Sequence, residues 1–245
     1  MRHSSMCMKQ LFFFFILLLS LTRMNAQSPI APPELVYLVR QPVKASPQAP
    51  LLLLLHGVGS NEQDLFAFAN QLPPEFIVVA ARAPYTISPG SYAWYAVDFS
   101  TGKPIIQPEQ AEASRLTIIR FIEQLCTQYP VDRSRVFLGG FSQGAIMSYS
   151  VGLTHPELLR GIAAMSGRML DEIKPQLASD EQLKHLNVFI SHGNQDQVLP
   201  MQHAHAAIQF LKQHHISPEF HSYPAAHSIT PENLRDLIQW LEHLR

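Results

Sequence analysis

Residues 135–150 read RVFLGGFSQGAIMSYS, a β-rich apolar run that passes through Gly140-Phe141-Ser142-Gln143-Gly144 into a segment with helical character. A serine at such a junction has two readings. In an ordinary strand-to-helix turn it caps the helix. In a Gly-x-Ser-x-Gly elbow the turn is so tight that side chains two residues either side of the serine would clash. Glycine is then needed at 140 and 144, and the hydroxyl is pushed out above the sheet edge. The second reading makes Ser142 a candidate nucleophile.

Working outward, β-rich runs alternate with helical patterns. Strand candidates are residues 35–39, 51–55, 76–81, 135–138, 161–165, 188–191 and 219–223. Several are nearly continuous apolar runs, the pattern of strands buried on both faces of a mainly parallel sheet. Helix candidates are 62–71, 107–128, 142–153, 201–213 and 231–244. The last opens Thr230-Pro231, an N-cap followed by proline at the first helical position. The series predicts one α/β domain over 35–245 with a doubly wound sheet. Its functional residues are expected in loops beyond the carboxyl ends of the strands.

A serine hydroxyl is a poor nucleophile near neutral pH and needs a base, which in turn needs an acid to fix its tautomer. On this kind of sheet they follow in the order serine, acid, histidine. Ten histidines lie after Ser142. His203, His205, His214, His215 and His243 fall on helical patterns, and His155 and His185 beside helix ends. His227, in Pro224-Ala225-Ala226-His227-Ser228, lies in a loop with small neighbours between the last strand and the last helix, free to reach across the sheet edge. His203 and His205 do not suggest a metal site, because residues two apart on a helix face different ways. For the acid, Ile190-Ser191-His192-Gly193-Asn194-Gln195-Asp196 runs off a strand into a polar loop, which favours Asp196. Asp171 and Asp180 are rivals, but neither has a strand immediately before it.

A tetrahedral intermediate also needs two N–H donors for its oxyanion. Residues 51–55 feed into His56-Gly57-Val58-Gly59-Ser60, so the backbone amides of Val58 and Gln143 are the natural pair, with His56 bracing the turn.

These segments together resemble the carboxylesterase/phospholipase family of α/β-hydrolases, which includes acyl-protein thioesterases, over roughly residues 35–244. The resemblance rests on HGVGSNEQDL, RAPY (82–85), YAWY (92–95), GGFSQGA, MSG (165–167), SHGNQDQVLP and AAHSIT, in that order. It implies the α/β-hydrolase fold and a Ser142, Asp196, His227 triad. It also implies oxyanion donors at Val58 and Gln143, no metal or other cofactor, and hydrolysis of carboxylic esters or thioesters.

Residues 85–99 (YTISPGSYAWYAVDF) gather Tyr92, Trp94, Tyr95 and Phe99 in a loop-like stretch. Trp94 and Tyr95 are read as candidate substrate-binding residues that wall an acyl pocket, with core packing as the alternative.

The chain has 245 residues, 47% hydrophobic and 15% charged, enough apolar content for one substantial core. A formal net charge of -1 supplies no field for nucleic acid or an anionic membrane, so a neutral small molecule suits this balance better, and the resemblance implies that it is an ester. Residues 11–21 (LFFFFILLLSL) follow Arg2 and Lys9 as in a secretory signal, and are too short to cross a bilayer as a permanent span. The leader is expected to cover 1–26, with Met6 and Met8 as alternative starts and a proline-rich linker over 27–34. The product is expected to be secreted or periplasmic. Cys7 leaves with the leader, and Cys126 remains as a small hydrophobe on a helical pattern. Two other functions use the same features: an amidase or peptidase with the same triad, and a catalytically silent binding protein on a hydrolase fold.

Overall fold

The computed structural model describes Met1 and residues 34–44, 46–98, 100 and 104–244. The chain separates into two units, 1–32 and 33–245. The expected leader beyond Met1, residues 27–33 of the linker, and Phe99 lie outside the described residues. Among the described residues, no helix is long and apolar enough to cross a membrane.

The strands are β1 (Tyr37–Arg40), β2 (Ala49–Leu55), β3 (Ile77–Ala81), β4 (Tyr85–Ser88), β5 (Ser91–Ala93), β6 (Val97–Asp98), β7 (Ile105–Ile106), β8 (Val131–Phe141), β9 (Gly161–Met165), β10 (Asn187–Gly193) and β11 (Glu219–Tyr223). The helices are α1 (Glu62–Phe66), α2 (Pro108–Gln128), α3 (Gln143–Gly152), α4 (Asp180–Leu183), α5 (Gln202–Gln213) and α6 (Pro231–His243). Seven strands form the main sheet in the order β1-β3-β2-β8-β9-β10-β11. Only the β1–β3 pairing is antiparallel, with Tyr37 opposite Ala81. The others run parallel, so β8, β9, β10 and β11 deliver their following loops to one edge.

The apolar runs form two cores because successive side chains of a strand point to opposite faces. Leu51, Leu53 and Leu55 of β2 join the core that also holds Ile118 and Phe121 of α2, Met147 of α3 and Leu211 of α5. Leu52 and Leu54 join the other, with Leu65 of α1 and Leu234, Leu237 and Trp240 of α6. Val188 and Ile190 divide from Phe189 in the same way. These are the two helical layers of a doubly wound sheet.

Two expectations are corrected. The helix expected over 62–71 stops at Phe66 and tightens into turns, with Phe68 N–H donating to Leu65 O and Ala69 N–H to Phe66 O. Its apolar pattern runs on because Ala69 and Leu72 still face the core, while Pro73 and Pro74 end the segment. The stretch 85–98 is not a plain loop but carries the β4–β5 hairpin and β6, which pairs with β7.

Arg40 staples β1 to those turns. Its Nε donates to Ala69 O at 2.9 Å, and its two terminal nitrogens reach Leu72, Pro73, Pro74 and Phe76 carbonyls at 2.9–3.3 Å. Arg40→Ala leaves five carbonyls without their charged donor and is expected to lower stability by about 2–3 kcal/mol in urea unfolding. Arg40→Lys should recover only part, because an ammonium lacks the planar fork. An unchanged midpoint in Arg40→Ala would show that the staple holds nothing.

Candidate active site

Ser142 occupies the turn between β8 and α3 with φ 54° and ψ -117°, a backbone strained for any residue but glycine. The flanking glycines make the turn possible. A Cβ on Gly140 would fall 2.3 Å from the Gly144 carbonyl carbon, and a Cβ on Gly144 would fall 1.9 Å from Leu55 O at the end of β2. The start of α3 therefore lies directly against β2, and Ser142 N–H is held by Met165 O at 3.0 Å.

His227 and Asp196 arrive on adjacent parallel strands. Gly193, the last residue of β10, pairs with Tyr223, the last of β11. Beyond them the two loops remain bonded: Asn194 N–H donates to Tyr223 O at 2.8 Å and Gln195 N–H to Ala225 O at 2.9 Å. Any side chain at 193 would fall 2.3 Å from the Ala225 and Ala226 carbonyl oxygens, so a glycine permits this approach.

His227 Nε2 lies 2.9 Å from Ser142 Oγ, and its Nδ1 lies 2.6 Å from Asp196 Oδ2. The carboxylate accepts only, so Nδ1 carries the hydrogen and Nε2 presents its lone pair to the serine hydroxyl. Asp196 Oδ1 accepts the Val198 and Leu199 N–H groups, both at 2.9 Å. Its side chain is 0% exposed against 16% for His227, so the carboxylate is sealed in while the imidazole keeps some contact with solvent. Phe141 packs on the imidazole with ring centroids 4.8 Å apart. The rival carboxylates lie elsewhere: Asp171 pairs with Lys174 at the surface, and Asp180, the first residue of α4, with His214.

The turn after β2 adjoins the serine, since a Cβ on Gly57 would sit 3.3 Å from Ser142 Cβ. His56 is buried and braces it. Its Nε2 accepts Ala83 N–H at 3.0 Å, which leaves Nδ1 to donate to Gly57 O at 2.7 Å. Burial lowers the His56 pKa and so favours this neutral form. Ser60 N–H also reaches Gly57 O, at 3.2 Å. In a trans peptide the N–H and C=O point opposite ways, so the Val58 N–H lies on the far side of this anchored carbonyl. Gln143 begins α3, and its N–H has no partner within that helix.

Trp94 and Tyr95 depart from the expected pocket wall. Both are buried, at 0% and 1% exposure. Trp94 Nε1 donates to His56 O at 3.0 Å. The Gln143 carboxamide grips their backbone, with Oε1 accepting Trp94 N–H at 2.7 Å and Nε2 donating to Tyr95 O at 2.8 Å. Burial also pushes the Tyr95 phenol up to about 12, away from acid–base work near neutrality. These residues anchor the 85–98 segment to the elbow, and the loop-like composition hid this because aromatics look alike in a wall and in a core.

The Glu62–Arg82 pair behind His56 was not foreseen. Arg82 Nε and a terminal nitrogen meet Glu62 at 2.7 and 2.5 Å, and Arg82 hydrogen bonding lowers the Glu62 pKa. Their only sequence signal is that NEQDL, just after the His56 turn, carries two acids, Glu62 and Asp64, and RAPY carries one base, Arg82.

A family model described as phospholipase/carboxylesterase matches residues 41–245. Acyl-protein thioesterase 1 of Kluyveromyces lactis is 29% identical over 219 residues, covering 83% of this chain and 95% of its own. Esterase YpfH of Escherichia coli is 31% identical, covering 71% and 73%. Among solved structures, esterase PE8 superposes with a TM-score of 0.73 at 26% identity, covering 86% of this chain and 99% of that one.

Proposed function

Because the chain belongs to the phospholipase/carboxylesterase family of α/β-hydrolases, whose members are serine hydrolases, we propose that it cleaves small or medium carboxylic esters through an acyl-enzyme on Ser142. The family supports esterase or thioesterase activity, so thioesters and lysophospholipids belong to the same substrate reading. The observation that carries it is the relay from Ser142 Oγ through His227 to the sealed Asp196 carboxylate, with spans of 2.9 and 2.6 Å.

In this reading His227 Nε2 takes the Ser142 proton as Oγ bonds to the substrate carbonyl carbon. The carbonyl oxygen becomes an oxyanion facing the Val58 and Gln143 N–H groups. Collapse breaks the bond to the leaving oxygen, which takes the proton from Nε2 and departs as the alcohol. Water then gives a proton to Nε2 and attacks the acyl carbon, and collapse breaks the bond to Oγ, which takes the proton back from Nε2 as the acid is released. Asp196 keeps Nδ1 protonated and offsets the imidazolium charge in each half.

An acyl-length series of chromogenic esters, run with matched thioesters and anilides, tests the substrate class. Turnover of esters or thioesters far above anilides is expected. Comparable anilide rates would favour the amidase or peptidase reading, and silence on every substrate would favour the binding protein.

The oxyanion assignment has its own test, because Val58 is asked for an N–H alone. Val58→Ala keeps the donor and should stay active. Val58→Pro removes it and is expected to lower kcat by about 10²- to 10³-fold, with circular dichroism to check the fold. Near-normal kcat in a folded Val58→Pro would move the donor elsewhere, and Gly59 could take the part only by releasing Tyr92 O, to which its N–H donates at 2.8 Å.

The basic and apolar leader over residues 1–26 supports export to the periplasm or medium, with the mature chain starting near Gln27. Mass spectrometry of the exported protein checks this, and residues 12–19 retained in a membrane fraction would overturn it.

A further inference from the structure

We propose that His192 is a positioning residue for the catalytic acid, acting on turnover through Asp196; the proposal rests on the triad reading above. The side chain is 0% exposed on β10, four residues before the acid. Its Nε2 lies 2.6 Å from Leu199 O, an acceptor only, so Nε2 carries the hydrogen. Leu199 is thus gripped twice: its carbonyl by His192, and its own N–H by Asp196 Oδ1 at 2.9 Å. The His192 Nε2 also sits 3.5 Å from Asp196 Oδ2, the oxygen that receives His227 at 2.6 Å. One imidazole therefore closes the 196–199 turn through Leu199 O and places its Nε2 3.5 Å from the oxygen that meets His227.

Packing alone does not account for a histidine here. Its Nδ1 is buried without a hydrogen-bond partner among the described residues, and leaving a buried polar atom unpaired is unfavourable. An apolar side chain of the same size would fill the space without that penalty. What the imidazole adds is the Nε2 donor, and that donor points at the acid loop.

The test compares His192→Phe, which keeps the bulk, with His192→Gln, whose amide nitrogen reaches about as far as Nε2. Each is made alone and on Asp196→Asn, with kcat and KM measured on the best ester. His192→Phe is expected to lower kcat by about tenfold or more with KM little changed, as when an outer partner of a functional histidine is lost. His192→Gln should recover most of it. On Asp196→Asn, adding His192→Phe should have no further effect on kcat, since the residue it acts through is already disabled. Wild-type kcat in His192→Phe, or its full loss repeated on Asp196→Asn, would overturn the proposal. If His192→Phe does not fold, His192→Asn replaces it, because its shorter amide cannot reach Leu199. Equal kcat for Asn and Gln would then overturn it. An active wild type with an unaffected His192→Phe refutes this inference alone, whereas a wild type silent on all substrates refutes the proposed function.

Discussion

Ser142→Ala is expected to reduce kcat by roughly 10⁶-fold, and His227→Ala by a similar amount. The basis is mutual dependence: Oγ cannot attack without passing its proton to Nε2 at 2.9 Å, and Nε2 has no proton to return to the leaving group unless it has first received one. The double variant should be no worse than either single variant, since losses within one unit do not add. Binding and the oxyanion donors survive in all three, so a residual rate above water should remain. Initial rates on the best ester, with thermal melts to show that the fold persists, measure this. A Ser142→Ala enzyme retaining a few per cent of wild-type kcat would place the nucleophile on another residue.

Asp196→Asn is expected to lower kcat by about 10⁴-fold with little effect on folding. The neutral amide can still accept Val198 and Leu199 N–H groups at Oδ1. What it turns toward His227 is the NH₂, a donor where an acceptor stood. His227 is driven to the other tautomer, with its hydrogen on Nε2 and no lone pair for the serine. Asp171→Asn and Asp180→Asn should leave kcat close to wild type, because those carboxylates pair with Lys174 and His214 away from the triad. A severe loss in either, with Asp196→Asn active, would reassign the acid.

The parts of this site that were legible in the sequence are those that a single residue type or a chain order dictates. Gly140 and Gly144 are set by backbone contact, which leaves no room for a side chain. Asp171, Asp180 and Asp196 all fit the chain order serine, acid, histidine, and what separated Asp196 was the strand that runs directly into its loop, which ends beside the strand that leads to His227. β9 and β11 match their expected bounds, and the remaining sheet strands shift by a few residues at their ends, since apolar runs mark the buried middle of a strand better than its exposed tips.

What stayed hidden depends on side-chain direction. Trp94 and Tyr95 have the same composition whether they face a ligand or the core, and the Gln143 carboxamide that fixes them lies 49 and 48 residues away in the chain. Arg40 meets its carbonyls 29 to 36 residues on, a pairing that neither helical nor strand periodicity encodes. His192 sat inside a quoted motif, but nothing short of its 2.6 Å contact with Leu199 separates it from an ordinary strand histidine.

Labelling with a fluorophosphonate ester, mapped by peptide mass spectrometry, bears most directly on the claim that Ser142 is the nucleophile activated by His227. The wild type should carry one phosphonyl group, on the peptide containing Ser142, with ester hydrolysis lost in step with labelling. His227→Ala should label far more slowly, because the hydroxyl has lost the base that takes its proton. Loss of ester hydrolysis with the adduct on any other residue, or continued hydrolysis with Ser142 fully modified, would contradict the account.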